Sequence, residues 1–93
     1  MDVREIRSAL LEDLGAHLAP VPLMDLEVAP DVDHDGDPIL RVRAVYDERV
    51  GTPDKDKVFT SYSLVRGRIE SLGEGRYPIL TFISRGDRDA AAA

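Results

Sequence analysis

Cysteine and tryptophan are both missing from this chain, and histidine is almost so, with only His17 and His34. Without cysteine there is no disulfide framework and no thiolate metal site. A short chain of this kind fits a reducing compartment, so a cytoplasmic protein is the expectation. Two imidazoles are too few for a nitrogen-rich transition-metal centre. No apolar run approaches membrane-spanning length. The stretch MDVREIRSALL places acids early and lacks the long apolar core of a secretory signal. Positive charge is in deficit: 12 Lys and Arg stand against 18 Asp and Glu, a net charge of −6. That balance disfavours nonspecific binding to nucleic acid or a membrane surface, and it suits a soluble partner of something basic.

Catalytic signatures are scarce as well. Ser61, Ser63, Ser71 and Ser84 have no G-x-S-x-G context, and Gly73-Glu74-Gly75-Arg76 matches neither a P-loop nor a dinucleotide fingerprint. Tyr62 and Tyr77 read as packing residues. The expectation is a protein that is not an enzyme and carries no cofactor.

What is present is a regular alternation in Ile39–Asp47, ILRVRAVYD. Leu40, Val42, Ala44 and Tyr46 fall on one face; Ile39, Arg41, Arg43 and Val45 fall on the other. Period two with β-branched and aromatic residues is the pattern of a half-buried strand, and the uncharged face belongs in the core. A second strand, Leu23–Ala29, alternates Met24, Leu26 and Val28 with Asp25 and Glu27. Its acids suit an edge and can pair across the sheet with Arg41 and Arg43. Pro30–Pro38 is read as the acidic loop between them, with Asp35-Gly36 as its turn.

Two helices complete the pattern. Asp2 and Glu5 resemble a capping box, and Val3, Ile6, Leu10 and Leu14 recur at helical spacing up to Leu18; Pro20 and Pro22 prevent continuation. Thr52-Pro53 is a plausible start for the second, with Asp54 or Asp56 as alternative caps. Its stripe is Val58, Tyr62, Val65, Ile69 and Leu72. Gly67 within it would permit close packing on the sheet, and Gly73 is a C-cap. The third strand is PILTFIS, apolar on both sides. The predicted fold is therefore a two-layer α+β domain, α-β-β-α-β. A three-stranded mixed sheet has its main strand in the centre, and two helices cover one face. Residues 1–88 form one domain, and 89–93 are a tail that frays or extends a short helix. Leu10, Leu40, Val42, Tyr46, Val65 and Ile69 are the expected core.

Asp31, Asp33 and Asp35 match the front of a calcium loop, D-x-D-x-D-G, since hard cations need several oxygens on a tight turn. The match stops there, because the ninth and twelfth positions are Ile39 and Val42. These aspartates are weak metal candidates, and no metal is expected. His34 lies among them, and His17 complements a helix C-terminus.

A helix, a hairpin with a histidine in its loop, a helix and a final strand together resemble the BolA-type, type II KH-like arrangement. The resemblance implies that topology. His34 falls roughly where that family has its first-loop histidine. PILTFIS and the residues after it contain no second one, KVFTSYSLVRGR lacks the basic helix-start signature, and no G-x-x-G loop is present. The iron–sulfur partnership and RNA clamp of such proteins are therefore not implied. The blocks DGDPIL and YPILTFIS also resemble small bacterial proteins without assigned function.

These readings converge on a small acidic protein-interaction module, of which an antitoxin- or immunity-like partner is one concrete version. Its expected contact surface is the helix-free face of the sheet. Ile39, Arg41, Arg43 and Val45 lie there with one of two pairs from the last strand, Ile79/Ile83 or Leu80/Phe82, of which Ile79 and Ile83 are taken as the contacts. A protein partner or a second copy would bind there, unless the C-terminal residues fold back over it. The alternative is a divergent KH-like nucleic-acid binder, which requires Arg41, Arg43, Arg66, Arg68, Arg76 and Arg85 to converge on one surface. A cation-responsive module built on the acidic loop is a third reading.

Overall fold

The structure is a computed structural model that describes residues 2–92; the start and end residues, Met1 and Ala93, lie outside the described part. Its elements are α1 (Val3–Leu18), β1 (Leu23–Val32), β2 (Pro38–Tyr46), α2 (Lys55–Ser71), β3 (Tyr77–Ser84) and α3 (Arg85–Ala92). The strand order is β1-β2-β3, with β1 antiparallel and β3 parallel to the central β2. The first five elements are the expected α+β arrangement.

α1 forms as its sequence dictates. The Asp2 carboxylate accepts the Arg4 N–H, and Ile6, Leu10, Leu14 and Leu18 form one fully buried stripe. They pack on Leu26, Leu40, Val42, Ala44, Val65, Ile69 and Leu80 to make the core. Tyr46 is not among them. It ends β2 and is only half-buried, and Ala44 is the last residue of that face to enter the core.

β1 continues through Pro30, Asp31 and Val32, which pair with Leu40, Ile39 and Pro38. This corrects the longer loop read from the sequence. A proline lacks an N–H to donate, but an edge strand has a side on which none is required. The true turn is Asp33–Asp37. There one Asp33 carboxylate oxygen accepts the N–H groups of Asp35 and Asp37, both at 2.9 Å. Gly36 adopts φ 85°, the left-handed region that glycine enters without penalty.

α2 is capped by Asp54, whose carboxylate accepts from Asp56 and Lys57 N–H, so Pro53 precedes the helix. The helix ends in a Schellman motif: Gly73 N–H donates to the Glu70 carbonyl and Glu74 N–H to the Ile69 carbonyl. Its buried residues are Ser61, Val65 and Ile69. The stripe thus runs through Ser61 instead of the exposed Tyr62 in the first half of the helix, with Val58 half-buried. There α2 meets the end of α1, where His17 Nε2 lies 3.0 Å from the Lys57 carbonyl and 2.8 Å from the Thr60 hydroxyl. Ser61 is small, and its hydroxyl is satisfied by donating to the Lys57 carbonyl, so it can occupy this contact. Gly67 does not serve close packing on the sheet. It is exposed, and a Cβ there would meet nothing within 4 Å.

The predicted tail is helical to residue 92. α3 starts directly after β3 and packs against β2 and β3. The Glu48 carboxylate accepts the Gly86 N–H at 2.9 Å, and Arg85 pairs with Asp89 one turn on. Arg88 reaches Asp25 on the far edge of the sheet.

Candidate functional site

The register divides the sheet into two faces. Leu26, Val28, Val42, Ala44, Leu80 and Phe82 point toward α1 and α2; Glu27, Ala29, Arg41, Arg43, Ile79, Thr81 and Ile83 point the other way. Of the two β3 pairs, Ile79/Ile83 is therefore the outward one. Two of the expected contact residues are withdrawn from this face. Val45 is fully buried and Ile39 nearly so, both outside the main core. α3 packs on the β2–β3 end that holds Val45, so the C-terminal residues do fold back over part of the sheet. Ile83 is half-buried at the same end.

The rest of the face is a shallow pocket of about 240 Å³ lined by Glu27, Ala29, Arg41, Val42, Arg43, Ile79 and Thr81. Its arginines are already engaged. Arg43 Nε donates to Glu27 Oε1 at 2.8 Å, and Arg41 pairs with Asp31. The Arg41 hydrogen bond, helped by the Val32 N–H, holds the Asp31 carboxyl below the usual aspartate range. The pocket has an apolar centre of Ala29, Ile79 and Thr81 methyl, bordered by balanced ion pairs. Such a surface can take an apolar side chain and offer fixed charges to the groups around it. Glu27 was expected to pair across the sheet and does so with Arg43, whereas Ala29 and Thr81 were not singled out from the sequence. Register alone reveals them, since each faces Arg43 or Arg41 across the ladder.

The six arginines do not converge. Arg41 and Arg43 lie on the open face. Arg66 and Arg68 belong to α2 in the opposite layer, where Arg68 pairs with Asp13 and Arg66 sits 5.4 Å from the centre of the Tyr77 ring. Arg76 binds Glu74, and Arg85 binds Glu48 and Asp89.

The acidic loop is also rearranged. Asp31 is taken by Arg41, and the carboxylates that gather are those of Asp33, Asp35 and Asp37, with oxygens within 4.8 Å of one another. Asp37 was missed because a D-x-D-x-D reading starts from Asp31, whereas β1 carries that residue away from the turn. One Asp33 oxygen is occupied by backbone donors. His34 is exposed beside Asp35.

Comparison with protein-family models, with curated proteins and with solved structures finds no match to this chain. Among the described residues, no helix is long and apolar enough to cross a membrane.

Proposed function

We propose that this chain is a non-enzymatic protein-interaction module that receives a protein partner on the open face of its sheet. The supporting observation is the pocket left beside α3, apolar at Ile79 and Ala29 and bordered by the Glu27–Arg43 and Asp31–Arg41 pairs. Apolar centres with arginine at the border are the composition favoured at interfaces. The nucleic-acid reading has less support, because the arginines occupy opposite layers and Arg41, Arg43, Arg68, Arg76 and Arg85 carry acidic partners that a phosphate would have to displace. An antitoxin- or immunity-like role is the concrete form we favour, given the acidic charge.

The test is capture from native extract with the purified chain, the Arg43→Glu/Ile79→Asp double variant and a nuclease-treated control. A defined protein should be retained by the native chain at near-equal amounts, survive nuclease treatment and be lost with the variant. Retention of the same protein by the variant would remove the open face from consideration. Nuclease-sensitive capture would favour the KH-like alternative.

A further inference from the structure

We propose that two copies of this chain join through the outer edges of β3, antiparallel about a two-fold axis, so that their sheets become one. This goes beyond the open-face reading and uses a different surface.

Three observations carry it. First, among the described residues β3 has β2 on one side and no strand on the other, which leaves its outer edge without a strand partner. Second, its eight residues, YPILTFIS, contain no charge, so the strand can approach another copy without placing like charges opposite each other. Tyr77 at its start is exposed, at 51%.

Third, the flank of α2 along this edge complements itself under a two-fold. Phe59, Tyr62 and Arg66 are exposed and follow helical spacing along one side of α2. Tyr62 meets the Phe82 ring edge-on, near the end of β3, with centroids 6.4 Å apart. Arg66 meets Tyr77 at the start of β3, where its Nη2 donates to the Tyr77 hydroxyl at 3.0 Å. Arg66 and Tyr77 thus meet at the end of the strand opposite to Tyr62 and Phe82. An antiparallel pairing sets the Tyr77 end of one strand beside the Phe82 end of the other. It therefore brings Arg66 of each copy to Phe59 and Tyr62 of its mate. A guanidinium beside two aromatic rings is an attractive pair, made twice by symmetry. A foreign strand would satisfy the backbone edge, but only a second copy supplies both halves of this match.

Sedimentation velocity over a concentration series tests the pairing. The native chain should show a monomer–dimer equilibrium. Phe59→Lys sets a cation against Arg66 of the other copy and should weaken the dimer by about tenfold or more. Phe59 is 77% exposed, so this variant should keep the native circular dichroism. Adding Arg66→Glu to the same chain makes each new lysine meet a new glutamate, and dimerisation should return. A native chain that stays monomeric would overturn the proposal, as would a dimer indifferent to Phe59→Lys or one not restored by the double variant. Arg43→Glu leaves the edge intact, so a dimer that persists in that variant after partner capture is lost separates this proposal from the open-face reading.

Discussion

The two edges of the sheet are built to opposite rules. β1 carries Asp25, Glu27 and Asp31, a proline at position 30 and a register irregularity between Leu23 and Asp25. Arg7 of α1 reaches over it, donating from Nε to the Leu26 carbonyl at 2.7 Å and pairing with Asp25, which Arg88 also approaches. Charges, a proline and a bulge are the usual defences of an exposed strand against pairing with another chain. β3 has Pro78 and nothing else of that kind. The contrast teaches that edge protection here is selective. An acidic chain that guards one edge so fully leaves the other free for association.

The largest effect should come from the strand the two edges share. Val42 is fully buried in the centre of β2, and an unpaired carboxylate there costs several kcal/mol against a margin of about 5–15 kcal/mol. Val42→Asp should abolish cooperative unfolding and native circular dichroism. A well-folded Val42→Asp protein would mean that the register linking the edges is wrong.

Next in size is the guard on β1. Arg7→Ala removes the donor to the Leu26 carbonyl and one partner of Asp25, so stability should fall by roughly 1–2 kcal/mol in urea unfolding. Hydrogen exchange should show the loss concentrated in β1, with β3 unchanged apart from the global shift. Equal loosening of both strands would remove the distinction between them.

Acid should act at the loop that precedes β3. Glu74 is held at about 2, against an ordinary value of 4.5, by the Arg76 side chain and then by the Arg76 backbone N–H. The folded state therefore resists protonation more than the unfolded chain does. The stability from this pair is complete above about 4.5 and disappears as pH falls toward about 2. Glu74→Gln should flatten that part of the stability–pH curve and leave the rest in place. An unchanged slope would detach Glu74 from the acid response.

Patterning along the chain was sufficient for α1, for the inner face of β2 as far as Ala44 and for the Gly73 end of α2. Each depends on residues within one or two turns, or on strict alternation, and so is written locally. Where a segment was misread, a distant contact had overridden the local signal. Pro30 looked like a loop because its tolerance depends on β1 being an edge. Tyr62 looked like core because the packing of α1 on the start of α2 turns the buried stripe toward Ser61. Asp31 looked like a cation ligand because Arg41, ten residues on, was not yet known to claim it. Val45 and Ile39 looked exposed by alternation, yet Val45 lies at the end on which α3 packs.

Composition, charge and hydrophobic periodicity by themselves determined an acidic α+β domain with a single core, because burial of apolar residues at period two or near period four leaves few other solutions. Only the tertiary structure decided which surface stays open. That choice depends on where α3 folds back, on how Arg41 and Arg43 are neutralised and on which edge receives Arg7. All three are contacts between segments far apart in sequence, and no local pattern encodes the distance they close.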